Sequence, residues 1–216
     1  MRRQYKNPLV VGVTGGIGSG QSTVCEFFEK MSCKVINADL KAREVIQKDR
    51  NLQRLLKNTF GNGVFMENGE LDRKKLAELA FKDELSTMKL NHLVHPRMVE
   101  CLIEEMEKAR FSQRFPIVIV DAALIYEISI EKFFDFVVVV NAPLNLRQMR
   151  VIGRDGMIRR QFMERVDKQI PLEDKVKWAD YVITNDATLD ELKERTREVF
   201  QKLMAKQKKA HVRTAN

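Results

Sequence analysis

Residues Gly15-Gly16-Ile17-Gly18-Ser19-Gly20-Gln21-Ser22-Thr23 follow directly on the apolar run Leu9 to Thr14 and lead into a helical pattern. The spacing is that of G-x-x-x-x-G-K-S, with glutamine in the lysine position. Such glycines let successive backbone N–H groups turn inward around a phosphate. The helix that follows presents the positive end of its dipole, and Ser22 is placed to ligate Mg²⁺. Gln21 leaves the cradle and removes its point charge. A dinucleotide-binding turn is the competing reading, but it requires a third glycine where Gln21 stands.

Two aspartates are candidates for the chemistry around a bound nucleotide. Asp121 ends the apolar run Ile117-Val118-Ile119-Val120, the form of a carboxylate at the C-terminal edge of a buried parallel strand, where open α/β sheets bind ligands. With Ser22 it would support Mg²⁺, carried in as MgATP, a cation that keeps most of its waters. Asp39 follows a second, weaker strand and is the candidate base or orienting group for an acceptor hydroxyl; its alternative is a helix N-cap. His92 and His95 have the spacing of a metal pair but no third ligand. His95 is read as lining an acceptor pocket, and Pro96 predicts a helix break. Arg147, Arg150, Arg154, Arg159, Arg160 and Arg165, with Gly153 and Gly156 as hinges, predict a basic lid over transferring phosphates; a solvated helix face is the alternative, chiefly for Arg159 and Arg160. Trp178 and Phe162 read as packing residues.

The elements that must hold these residues alternate in a pattern of short apolar strands and amphipathic helices, which predicts an α/β fold: a five-stranded parallel sheet with helices on both faces. The strands are expected at 9–14, 34–37, 116–121, 134–141 and 181–184. A single domain over 9–204 would have its core at 9–39, 111–147 and 179–204, a helical substrate-binding insertion at about 40–110, and the lid at about 148–178. In 216 residues, 44% of them apolar, no run approaches the roughly 20 needed to span a bilayer, and Met1 to Pro8 lack the apolar stretch of a signal peptide. A cytoplasmic protein with no membrane partner is expected. Cys25, Cys33 and Cys101 have no C-x-x-C spacing and are expected as free, mostly buried thiols. The net charge of +8 suits polyanionic ligands. Much of it sits in a tail, 205–216, expected to be frayed and disordered, and with no interleaved aromatics it does not predict a nucleic-acid partner.

Taken together the residues resemble the dephospho-coenzyme A kinase family over roughly Leu9 to Met204. Beyond the phosphate loop, the likeness rests on Val35-Ile36-Asn37-Ala38-Asp39 with Ala42-Arg43-Glu44, Phe60-Gly61, Leu71-Asp72-Arg73-Lys74-Lys75-Leu76 and His95-Pro96. It continues in Asp121-Ala122-Ala123-Leu124-Ile125-Tyr126-Glu127, Gln148-Met149-Arg150 through Arg154-Asp155, Arg165 with Gln169 to Lys175, and Ala179 to Ile183. The resemblance implies a P-loop kinase fold, with ATP and dephospho-coenzyme A as partners of a monomer or small homo-oligomer. The activity implied is phosphorylation of a ribose 3′-hydroxyl, the last step of coenzyme A synthesis. It also implies site roles: Gly15, Gly16, Ile17, Gly18, Ser19, Gly20, Gln21, Ser22 and Thr23 for the ATP phosphates, Asn185 near the adenine, Asp39 at the acceptor hydroxyl, and Arg150 and Arg154 on the phosphates. Arg43, His95, Leu124, Glu127 and Arg165 would bind the acceptor.

Three positions depart from the family pattern. Gln21 replaces the loop lysine, Asn37 the first aspartate of I-D-A-D, and Ala123 the proline of D-V-P-L-L-F-E. Loss of one electrostatic contact of the lysine kind costs on the order of 10² to 10³ in rate. The alternatives to an active kinase compensated by another cation are a protein that binds ATP or coenzyme A without turnover, and a kinase for another small acceptor.

Overall fold

The computed structural model of the protein describes residue 5 and residues 7–213, with side chains as far as 208. The chain divides into two compact units: one of residues up to Asn37 and from Glu105 on, the other of Ala38–Glu104.

The first unit is built on five parallel strands, β1 (Leu9–Gly15), β2 (Lys34–Asn37), β3 (Ile117–Asp121), β4 (Phe136–Asn141) and β5 (Tyr181–Thr184), in the order β2-β3-β1-β4-β5. Every residue of β1 and β3 is buried, as strands covered on both faces require. On one face Val11, Val13, Ile117, Ile119, Val138 and Val140 pack with Val24 and Phe28 of α1 (Gln21–Lys30) and with Leu192, Val199 and Leu203 of the C-terminal helix. Three expected strands differ at an edge. β1 runs one residue longer, to Gly15, β3 begins at Ile117, and β4 begins at Phe136. At the last of these Asp135 exchanges bonds with Val10 through its own side chain, its Oδ2 accepting from Val10 N at 2.7 Å while its N donates to Val10 O at 2.7 Å. Asp180 enters β5 the same way against Val137.

The predicted disordered tail is corrected as far as Arg213. The last helix runs Leu189–Arg213, and Leu192, Thr196, Val199, Leu203 and Gln207 form its buried stripe. Lysine, glutamine and alanine are good helix formers, and no glycine or proline interrupts them. Residues 214–216 lie outside the described residues.

The second unit carries α2 (Ala38–Lys48), α3 (Arg50–Phe60) and α4 (Arg73–Ala80) around a core of Ile46, Leu52, Leu56, Val64, Leu76 and Val94. Asp49 and Asp72 cap α3 and α4, accepting from Leu52 N and Lys75 N. α5 (Glu84–Ser112) then passes straight through Pro96, so the expected break is absent. A proline inside a helix costs about 3 kcal/mol. Val94, Met98, Leu102 and Met106, all buried at i,i+4 spacing along this helix, each return roughly 1.5 to 3 kcal/mol. The burial wins. The helical insertion thus spans Ala38–Glu104 as a compact unit, where 40–110 was expected.

Candidate active site at the C-terminal sheet edge

Parallel strands bring Gly15, Asn37, Asp121, Asn141 and Thr184 to one edge, and the register sets Asp121 between Val13 of β1 and Asn37 of β2. The glycine-rich loop leaves β1 at that edge. Gly18 and Gly20 have φ of 78° and 91°, left-handed values that glycine adopts without strain. Gly20 leads α1 with no side-chain cap, so the helix keeps N–H groups available to an anion.

The loop is braced from outside by residues distant in sequence. Gln169 Oε1 accepts from Ile17 N at 2.9 Å, and Asn185 Nδ2 donates to Ser19 O at 2.7 Å. Arg150 donates to Asn185 O and to Asn185 Oδ1, both at 3.2 Å. Asn185, expected near the adenine, is therefore also a buried strut of the cradle.

Asp121 is the centre of a second cluster. Gln21 Nε2 donates to its Oδ1 at 2.5 Å and Asn37 Nδ2 to its Oδ2 at 3.0 Å. The Cys25 thiol, one turn after Gln21, is held protonated first by burial and then by the Asp121 charge. Two of the three departures thus converge on one carboxylate. Ser22, next to Gln21, is exposed at the start of α1. A hydroxyl and a carboxylate on adjoining elements suit a Mg²⁺ ion that brings its own waters and phosphates, so the donor set fits the expected cation.

The six arginines do not act as one face. Arg147, Arg150 and Arg154 lie on α6 (Leu144–Asp155), and Arg159, Arg160 and Arg165 on α7 (Arg159–Asp167). Arg154 is exposed and forks onto Asp155 at 2.7 and 2.8 Å, while Arg160 reaches Glu164 at 3.5 Å. Arg165 is exposed. Arg147 is buried, and burial pulls its guanidinium pKa below the ordinary value. Gly153 lies inside α6, so of the two expected hinges only Gly156 stands at a helix end, with φ of 62°. Beyond them, α8 (Leu172–Trp178) supplies Lys175, which is fully buried, bonds Glu127 Oε1 at 2.6 Å and Ala123 O at 3.0 Å, and has its pKa lowered by that burial. The same Glu127 oxygen accepts from Ile170 N at 3.0 Å, and Thr14 Oγ1 also donates to Ala123 O at 3.0 Å. Leu124, by contrast, is exposed. Gln169 and Lys175 were legible only as members of a matching stretch; nothing in their spacing marked them as supports.

In the second unit Asp39 and Arg43 are exposed on one face of α2, at i,i+4. Asp39 stands in the first turn of the helix rather than at its N-cap, where a carboxylate meets the favourable end of the dipole. His95 is half-buried on α5, and desolvation lowers its pKa; His92 is exposed. Among the described residues no group of three or more His, Cys, Asp or Glu side chains is placed to hold a metal, and no helix is long and apolar enough to cross a membrane.

A parallel 2-3-1-4-5 sheet, a glycine-rich phosphate loop after its central strand and a carboxylate at the end of the neighbouring strand define a P-loop kinase fold. The dephospho-CoA kinase family profile matches residues 9–191. A dephospho-CoA kinase of Bacillus licheniformis is 37% identical over 84% of this chain and 90% of its own length. A solved structure from Thermus thermophilus superposes with a TM-score of 0.77 at 32% identity, covering 92% of this chain and 99% of that one. A dephospho-CoA kinase structure from Campylobacter jejuni, at 23% identity, shares the fold with a TM-score of 0.63, covering 91% and 97%. The chain belongs to the dephospho-CoA kinase family.

Proposed function

We propose that this protein transfers the γ-phosphoryl group of MgATP to the ribose 3′-hydroxyl of dephospho-coenzyme A, giving coenzyme A and ADP, in the cytoplasm. The reading is carried by an intact phosphate cradle at the sheet edge within a chain that matches this family from Leu9 onward. The backbone N–H groups of Gly15 to Thr23 hold the phosphates. Ser22 and Asp121 would hold Mg²⁺, which would offset negative charge on the phosphates.

In the transfer the acceptor oxygen forms the new bond to Pγ, the bond from Pγ to the ADP oxygen breaks, and the hydroxyl proton passes to the Asp39 carboxylate. Arg150 and Arg154 offset charge on the phosphates from the lid side, and Arg43, His95, Leu124, Glu127 and Arg165 contact the acceptor. Asn185 faces the adenine side of the loop. Because phosphoryl transfer depends on positioning and charge stabilisation, cations contributed from outside the loop serve as well as one within it.

The test is ADP release from MgATP with and without dephospho-coenzyme A. Acceptor-dependent release with formation of coenzyme A is expected. Binding of both ligands without turnover, or turnover only with another acceptor, overturns the proposal.

A further inference from the structure

The side chain in the lysine position of the phosphate loop, Gln21, is turned to Asp121. Several cations of the same unit already have partners: Arg150 has Asn185, Arg154 has Asp155, and Lys175 has Glu127. Arg147 does not. Its residue is only 5% exposed, its Nε is buried with no hydrogen-bond partner, and among the described residues no carboxylate stands within ion-pair distance of its guanidinium.

Its position is defined by the loop. A Cβ added to Gly16 would run into Arg147 Nη1, and one added to Gly18 would come within 2.6 Å of the Arg147 carbonyl oxygen. The first half of α6 therefore lies directly on the cradle at two of its glycines, with the guanidinium over Gly16. Gly16 and Arg147 together line a cavity of about 350 Å³, whose other walls include Gln169, Pro171 and two acids, Asp167 and Glu173, the latter acting on the guanidinium by its charge without reaching ion-pair distance. A guanidinium held only as a buttress would bond to loop carbonyls or a carboxylate, whereas an unpaired buried charge opposes folding. It is accounted for if an anion completes it.

We infer that Arg147 takes the place of the missing loop lysine and is the cation that meets the nucleotide phosphates over Gly16. The substitution is chemically sound. Arginine stays charged despite desolvation, and its planar fork of donors matches phosphate oxygens, two at a time, better than an ammonium does. Lysine reaches the phosphates from the start of α1; arginine reaches them from α6. The inference rests on the ATP-dependent reading above, and makes Gln21 a residue released from phosphate binding to hold Asp121.

The experiment compares the wild-type protein with Arg147→Gln, Arg147→Lys and the double variant Arg147→Gln/Gln21→Lys. Three quantities are read for each: ADP affinity by calorimetry in EDTA, kcat/KM for ATP with dephospho-coenzyme A, and thermal unfolding of the ligand-free protein. Arg147→Gln is expected to weaken ADP at least tenfold and to lower kcat/KM on the order of 10²-fold, while the ligand-free unfolding midpoint holds or rises. Arg147→Lys should regain more than half, on a logarithmic scale, of the ADP affinity that Arg147→Gln loses, and the double variant should recover ADP affinity as lysine returns to the loop. ADP affinity within twofold of wild type in Arg147→Gln overturns the inference. So does a fall in ligand-free stability that Arg147→Lys shares, which would mark a buttress. Because ADP binding needs no acceptor, a wild-type protein inactive on dephospho-coenzyme A would sink the substrate reading and leave the Arg147 result standing.

Discussion

Gln21 Nε2 and Asp121 Oδ1 are 2.5 Å apart, so the residue in the lysine position of the loop is a ligand of the carboxylate that ends β3. Asn37 binds the other oxygen of the same carboxylate. Relative to the family pattern one cation and one anion have both been neutralised, which leaves the formal charge of the trio where it was. Asn37→Asp is therefore expected to set two carboxylates side by side and destabilise the protein by about 1–3 kcal/mol. Adding Gln21→Lys should recover more than half of that, a coupling of roughly 0.5 to 3 kcal/mol in a double-mutant cycle read by denaturant unfolding. Simple additivity would show the two positions to be independent.

Asn185→Asp should raise KM for ATP about tenfold with a smaller change in kcat. The retained oxygen would keep Arg150 while the new one would face Ser19 O, where a donor now sits, so the cradle loses its strut at a cost of about 1–3 kcal/mol. Steady-state kinetics at varied ATP check this, and an unaltered KM would mean that the loop holds its shape without Asn185.

Lys175→Met should be strongly destabilising, by about 3–5 kcal/mol, since it strands Glu127 in a buried site whose second oxygen already lacks a partner. Lys175→Met/Glu127→Gln should regain much of the loss. If the double variant is as unstable as the single one, the ion pair is not the reason.

Alkali should erode stability through the thiols. Burial pushes Cys33 from 9.0 up to about 12, and Cys25 also rises, so between these values the unfolded chain has released protons that the folded one retains. The stabilisation is whole below about pH 9 and declines by up to about 1.4 kcal/mol per pH unit for each thiol as pH climbs toward 12. Unfolding free energies of wild type and Cys33→Ala over that range should diverge in slope; parallel curves would remove Cys33 as a cause.

Asp39→Asn should lower kcat by roughly 10² to 10⁴ while ADP affinity stays near that of the unsubstituted protein, as expected of a group acting on the acceptor proton. A loss confined to KM for dephospho-coenzyme A would reduce Asp39 to a binding residue.

Much of the architecture was legible because it is written in short-range patterns. Apolar runs such as Ile117 to Val120 and Val137 to Val140 reveal buried parallel strands, and the glycine spacing from Gly15 to Gly20 reveals the cradle without knowledge of any neighbour. Patterns misled where distant packing outweighed a local signal. Pro96 stays helical because the Val94, Met98 and Leu102 stripe is buried, and the basic tail is helical to Arg213 because Leu203 and Gln207 continue a buried face.

The chain alone identified a phosphate loop short of one charge, and with its ordered motifs the family. It could not say where that charge went, since a cation 126 positions away in sequence is indistinguishable there from five neighbouring arginines. Folding separates them. Parallel pairing carries Asn37 to Asp121, and the packing of α6 on Gly16 and Gly18 buries Arg147 while leaving Arg154 in solvent. Burial, partner and distance are properties of side chains brought together from remote parts of the chain, and on them depends which arginine can answer for Gln21.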